Sequence, residues 1–159
     1  MPVHLRSYCH DDHHHPRDVL VVVDVQYDFL PGGNLAVAGG DEIVPLINTL
    51  AKKFTNVVLT RDWHPANHIS FASNHPGKAP FQTIELPYGT QVLWPDHCVW
   101  MSHGAQISAD LDIPRAQLII RKGCNPQIDS YSGFREADRE TADGPGRLSQ
   151  QSATPAGFT

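Results

Sequence analysis

Apolar residues come along the chain in three short runs, and each run gives way at once to charged or ligand-type residues. Asp18 to Val23 reads DVLVVV and ends in Asp24. Val57 to Thr60 leads into Arg61, Asp62, Trp63 and His64, and Gln117 to Ile120 leads into Arg121, Lys122 and Gly123. Continuous runs of β-branched residues and Leu at this length predict strands of a parallel sheet, buried on both faces. Between the first two runs, Ile43, Val44, Leu46, Ile47, Leu50, Ala51 and Phe54 recur with helical spacing. Pro45 falls in the first turn of that helix, Asp41 and Glu42 suit its positive end, and Lys52 and Lys53 suit the other. Strand, helix, strand predicts a right-handed parallel crossover.

The pattern is weaker elsewhere. From Pro65 to Gly104 the chain is rich in Pro, Gly, His and Asn, with aromatic islands at Phe81 and at Trp94 to Cys98. An irregular stretch of this length that carries Trp, Phe and Leu is expected to be ordered and functional. A short helical turn is expected at Ile107 to Leu111, and a further helix opening at Ser132 to Ala142. Residues 1–17 are expected to be a flexible, His-rich leader. Residues 143–159 hold only Leu148 and Phe158 as large apolar side chains and are expected to be a disordered or aberrant tail. That leaves residues 18–142 as one folded unit, and no internal repeat divides it.

Composition changes this picture little. A chain of 159 residues, 40% hydrophobic and 18% charged, suits one globular domain. A net charge of -5 offers nothing to nucleic acid or to an anionic membrane surface. No apolar run has the length of a membrane span or of a signal-peptide core. Three cysteines do not make a secreted disulfide framework, so the expected compartment is the cytoplasm. Of the 10 histidines, five fall within the first fifteen positions, and the remainder carry the chemistry.

If the three strands are parallel neighbours, their carboxyl ends bring Asp24, Asp62, His64 and Lys122 to one edge of the sheet, where open α/β sheets keep their sites. Asp62 and His64 are two apart, so on an extended chain they leave the same face. A carboxylate and an imidazole form half of a divalent-metal site; His97 completes it, with water at the open positions. His68 is a fourth ligand or a partner of the ligands. Asp24 beside Lys122 gives an ion pair in which Asp24 can shuttle a proton and Lys122 can stabilise an anion. Such a pair suits a thiol, which it would draw towards thiolate.

Four segments, DVLVVVDVQYDFLPGGNLAV, TRDWHPANHISFAS, LWPDHCV and RKGCNPQIDSYSGF, together resemble the nicotinamidase/pyrazinamidase branch of the isochorismatase-like cysteine hydrolases, from about Asp18 to Thr141. The resemblance implies a three-layer α-β-α fold on a six-stranded parallel sheet. It implies hydrolysis of nicotinamide to nicotinate and ammonia in NAD salvage, through a thioester on a cysteine. It assigns catalytic roles to Asp24 and Lys122, a metal to Asp62, His64 and His97 with His68 a ligand in some members, and substrate-lining roles to Phe29, Trp94 and Tyr131. The implied metal is zinc, with iron or manganese as alternatives.

Two departures stand out. Tyr27 replaces the Asn usual in the family. The G-[LV]-A-T-D-[YF]-C-V segment that carries the family's nucleophile is not present, so the last strands are expected to be missing and residues 18–142 to be a partial hydrolase domain. Cys98 follows His97 directly and is expected to point away from it, whereas Cys124, two beyond Lys122, is the better substitute thiol. The expectation is a metal site without turnover. The alternatives are a non-catalytic metal- or nicotinamide-binding module and a related small-amide hydrolase. An exposed strand edge adds self-association to the expected properties, or a homo-oligomer.

Overall fold

The computed structural model describes residues 15–139. The leader up to residue 14 and the whole 143–159 tail lie outside the described residues. β1 (Val19–Val23), β2 (Asn56–Asp62) and β5 (Leu118–Lys122) form a three-stranded sheet in the order β1-β2-β5. Both pairings are parallel, with Val22 beside Leu59, Thr60 beside Ile120 and Asp62 beside Lys122. The three apolar runs are therefore three parallel neighbours. The crossover from β1 to β2 carries a 3-10 turn at Gly40–Ile43 and then α1 (Val44–Ala51), with proline in the first turn as the sequence predicts.

Period-two alternation assigns each strand residue to a face. Val22, Val57 and Leu59 form a buried core with Val44 and Ala51 of α1, and Leu20, Ile47, Ile107, Leu111 and Ile113 pack against it. Each large aliphatic side chain so buried contributes about 1.5–3 kcal/mol. The opposite face holds Thr60, Asp62 and Lys122 near the carboxyl ends of the strands. Along β1 it exposes Val19, Val21 and Val23, which keep 49%, 43% and 59% of their surface. Among the described residues β1 pairs only with β2, so it is an edge strand. The described chain thus has two of the three expected layers, a sheet and one helix.

The irregular stretch is ordered and contains a hairpin that the hydrophobic pattern did not mark. β3 (Thr83–Leu86) and β4 (Gly89–Val92) pair antiparallel around Pro87 and Tyr88. Only one of the two helical expectations fails, since the turn expected at 107–111 is present and is closed by the Leu111 N–H on Ser108 O at 3.2 Å. At Ile107 to Leu111 the chain makes a bridge between Gln26 and Ile107 and then a turn, because the backbone N–H of Ser108 donates to Val25 O at 2.9 Å. From Ser132 to Arg139 there is no helix. Glu136 is drawn inwards, and the N–H of Ala137 donates back to Asp129 O at 2.7 Å, an interaction that helical geometry excludes. No helix among the described residues is long and apolar enough to cross a membrane.

Candidate active site and metal centre

The site begins where β1 ends. Asp24 has φ +54, a left-handed conformation rare outside glycine, Asn and Asp. This turns the chain out of the strand while its N–H still donates to Thr60 O at 3.2 Å. The Thr60 hydroxyl donates to Asp24 Oδ1 at 2.8 Å, and Lys122 Nζ lies 2.8 Å from Asp24 Oδ2. The same ammonium donates to Oδ1 of Asp62, its neighbour in the sheet register. Lys122 is thus shared between two carboxylates, a step beyond the expected Asp24–Lys122 pair.

The charges follow from this arrangement. Burial opposes the ammonium of Lys122, but Asp62 and Asp24 outweigh it and raise its pKa, so it stays charged. Burial likewise opposes ionisation of Asp62, yet the neighbouring His64 and Lys122 hold its carboxyl at about 2. At Asp24 burial prevails over the attraction of Lys122, and the pKa is raised. Asp24 is the carboxyl of the two that exchanges a proton more readily.

The three candidate metal ligands converge because two loops pair beyond the sheet. His64 N–H donates to Cys98 O at 3.0 Å and Trp100 N–H to His64 O at 2.8 Å, a parallel bridge that sets the loop of His97 beside the end of β2. The His64 and His97 ring centroids lie 5.0 Å apart, with Phe71 packed edge-on against both. Donor atoms of Asp62, His64 and His97 all lie within 4.8 Å of one another, and the three residues are buried.

The donor set fits a divalent ion. His64 Nδ1 bonds Gly123 O at 2.9 Å and His97 Nδ1 bonds Pro95 O at 2.8 Å. A carbonyl can only accept, so each Nδ1 carries a proton, and in the neutral ring each Nε2 is the free ligand atom. His64 Nε2 faces Asp62 Oδ2 at 3.6 Å. This is a carboxylate and two oriented imidazoles, with backbone partners fixing the tautomers as metal-bound histidines require. His68 is fully buried, and its ring packs 4.3 Å from that of His64. Its Nδ1 meets Ser70 Oγ at 2.7 Å, and its Nε2 has no hydrogen-bond partner among the described residues. It stands beside the cluster; the three mutually close donors do not include it.

The aromatic residues divide. Phe29 packs against His97 with centroids 5.6 Å apart and lines a cavity of about 480 Å³ with Asp24, Val25, Val37 and Ile43. Trp94 and Tyr131 pair with each other instead. Trp94 Nε1–H donates to the Tyr131 hydroxyl at 3.2 Å, and so does Gln91 Nε2 at 2.9 Å. Burial and Asp129 push that phenol up to about 12. Tyr131 lines a second cleft of about 1320 Å³ with Tyr88, Gln91 and Arg135, and none of the Asp24–Lys122 or metal-cluster residues lines it. Tyr27 turns outward, with its ring 4.2 Å from His103 and its hydroxyl accepting from Ala109 N at 3.0 Å.

Two cysteines, Cys98 and Cys124, fall within the described residues, both with free thiols. Cys98 is fully buried at φ +47, and burial pushes its pKa well above the usual thiol range. Cys124 was expected to share the face of Lys122. Gly123 at φ +65 interrupts the strand alternation between Lys122 and Cys124, and one electrostatic neighbour of Cys124 is Arg61, which leaves β2 on the side opposite Asp62. There Arg61 and Arg121 lie 4.1 and 4.7 Å from the Trp63 ring.

Sequence reasoning missed two buried polar residues, Gln26 and Asp28. Gln26 Nε2 donates to Asp62 O at 2.8 Å while the Asp62 N–H donates to Gln26 Oε1 at 2.7 Å. Asp28 accepts the Cys98 N–H at 2.6 Å. The available signal was the spacing Asp24, Gln26, Asp28, in which every second residue after a strand is polar.

A three-stranded parallel sheet with an acid–lysine pair and a carboxylate–bis-imidazole cluster at its carboxyl edge is the arrangement of an isochorismatase-like α/β fold. No family model matches the chain. It is similar to the nicotinamidase of Acinetobacter baylyi, 64% identical over 125 residues, or 79% of this chain and 58% of that protein. Among solved structures it is similar to an Acinetobacter baumanii nicotinamidase/pyrazinamidase, with 61% identity, TM-score 0.82, and coverage of 87% of this chain and 68% of that one. A Pyrococcus horikoshii pyrazinamidase in complex with zinc aligns with 38% identity and TM-score 0.61, over 84% of this chain and 64% of that one. The chain belongs to the nicotinamidase/pyrazinamidase family. It spans 58% of the length of the Acinetobacter baylyi relative.

Proposed function

We propose that residues 18–142 are the metal-binding and proton-handling part of a nicotinamidase-type amide hydrolase, which converts a nicotinamide-like small molecule to its carboxylate and ammonia. The observation that supports this reading most is the position of Lys122, bridging Asp24 to the metal-ligand residue Asp62. Asp62, His64 and His97 would hold the ion, zinc by the chemistry of the donors and the zinc-bound neighbour, with iron or manganese as alternatives. When bound, the ion would supply Lewis-acid polarisation of a ligand ring, a carbonyl or a water. Phe29 and the apolar wall of the Asp24 cavity would orient an aromatic ring and exclude water. Asp24, with its raised pKa, would accept a proton from an attacking thiol and return it to the leaving amine. Lys122 would stay protonated throughout and stabilise negative charge next to Asp24.

The family mechanism needs a thiolate beside Asp24; burial opposes ionisation of Cys98, and Cys124 follows the left-handed Gly123. Cys9 lies outside the described residues. The 159-residue chain is therefore proposed to bind metal and ligand without turnover. The test is incubation of the purified chain with zinc or manganese and nicotinamide, following ammonia release and metal binding together. Metal uptake lost in His64→Ala, with no ammonia, is the expected result. Ammonia release abolished by Cys124→Ala would make Cys124 the nucleophile and overturn the placement argued here.

A further inference from the structure

Asp24, Gln26 and Asp28 are alternate residues of the segment that follows β1, and each reaches a different piece of the site. Asp24 binds Lys122 at the end of β5. Gln26 completes the hydrogen bonding of Asp62 where β2 has run past the end of β1. Its carboxamide takes the Asp62 N–H on Oε1 at 2.7 Å and gives Nε2–H to Asp62 O at 2.8 Å and to Ala105 O at 3.0 Å. One side chain thus imitates a neighbouring strand, fixing the backbone of a metal-ligand residue from both sides. Gln26 is fully buried, so water cannot substitute for these bonds.

Asp28 does the same for the third ligand. Its Oδ2 accepts the Cys98 N–H at 2.6 Å and its Oδ1 accepts the Asn34 N–H at 3.2 Å, while Asn34 Nδ2–H donates to Asp96 O at 3.0 Å. His97 is therefore flanked by two residues, Asp96 and Cys98, whose backbones are tied to the 28–34 loop. Cys98 holds φ +47, a conformation that needs an outside restraint. The close approach is selective as well: a Cβ on Gly104 would lie 2.0 Å from Asp28 Oδ2.

We propose that Gln26 and Asp28 are positioning residues that set the separation of the Asp62 and His97 donors, so that the segment after β1 registers the metal centre against Asp24. This rests on the reading of Asp62, His64 and His97 as a metal site. Neither residue touches the ion or the substrate. Each acts through the backbone of a ligand or of its neighbour.

The test is cobalt(II) titration of the full chain, followed by visible absorption. Wild type is compared with Gln26→Glu, which keeps the acceptor and loses both donors, with Gln26→Met, and with Asp28→Asn. Val44→Ala, a core truncation remote from the site, controls for general destabilisation. A His64→Ala/His97→Ala double variant gives the background from other histidines. The expected result is affinity about 10–100-fold weaker in the Gln26 and Asp28 variants, with a shifted band in cobalt-saturated Gln26→Glu and an unchanged affinity and band in Val44→Ala. If Gln26→Met does not fold, Gln26→Glu and Asp28→Asn decide. Wild-type affinity and spectrum in both of those, or losses no greater than in Val44→Ala, overturn the proposal. Wild type binding no more cobalt than the double variant overturns the metal reading, and this proposal with it.

Discussion

The imidazole of His64 lies against the backbone of Gly123: its Nδ1 bonds the glycine carbonyl at 2.9 Å, and a Cβ on Gly123 would sit 2.3 Å from His64 Cε1. Gly123 also has φ +65. The turn after β5 thus orients a candidate metal ligand and leaves no room for a side chain. Gly123→Ala is expected to cost about 1–3 kcal/mol in backbone strain and to displace the ring as well. Thermal melting and zinc titration together check this. Metal affinity falling with melting is the expected outcome, and an unaltered zinc affinity would count against it.

Lys122 is the only cation that the described geometry puts within bonding reach of both Asp24 and Asp62. Lys122→Met would leave two carboxyls facing each other in a buried site. Removing one partner of a buried ion pair costs about 3–5 kcal/mol. Because the loss arises from uncompensated negative charge, it should shrink as pH falls and the carboxyls protonate. Urea unfolding of the variant at pH 7 and pH 5 tests both the size and the direction. A variant as stable as wild type at pH 7 would show that the lysine does not neutralise the pair.

How much of this site could be read in the chain depends on which interactions follow sequence spacing. Asp62 and His64 were legible because strand alternation puts positions two apart on one face, and His64 Nε2 does face Asp62 Oδ2. Asp24 and Lys122 were legible as the residues ending two parallel neighbours. His97 could be named only by residue type, because its place depends on a single bridge between His64 and Val99 rather than on any periodicity. The sharing of Lys122 depends on sheet register, which apolar runs alone do not fix. Cys124 was harder to place for a related reason, since the left-handed Gly123 interrupts the alternation on which the expectation stood. The β3–β4 hairpin escaped notice because its strands are four residues each and half exposed. The helix expected from Ser132 did not form because the inward pull on Glu136 and the Ala137–Asp129 bond prevail over a weak local preference.

Acid should destabilise the metal-free chain through His68. Burial, reinforced by the neighbouring His64, holds this ring down to about 4 from an ordinary 6.5. Between those values the unfolded chain takes up a proton that the folded chain refuses, so stability falls as pH drops from 6.5 to 4 and levels off below. A depression of this size is worth at most about 3 kcal/mol. Burial lowers His97 as well and acts in the same direction. Urea midpoints in chelator at pH 7 and pH 5 should separate for wild type, and His68→Gln should narrow the gap. An equal gap in the variant would remove His68 from the explanation.

Self-association is expected from β1. Val19, Val21 and Val23 are exposed on one face of a strand whose outer edge has no partner among the described residues. Edges of this kind pair with other chains unless a charge interrupts them. Val21→Lys, which places an ammonium in the middle of the patch, should shift sedimentation profiles towards monomer without altering metal uptake. A wild-type chain that is monodisperse and monomeric at high concentration would contradict the expectation.

The central claim is that Asp62, His64 and His97 hold one divalent ion. X-ray absorption on the zinc-loaded chain tests it most directly, with the His64→Ala/His97→Ala variant as reference. One zinc per chain bound by two imidazole nitrogens and oxygen at about 2.0–2.2 Å, with that signal absent from the variant, is the result expected. Sulfur in the first coordination sphere, or an unchanged spectrum in the variant, would contradict it.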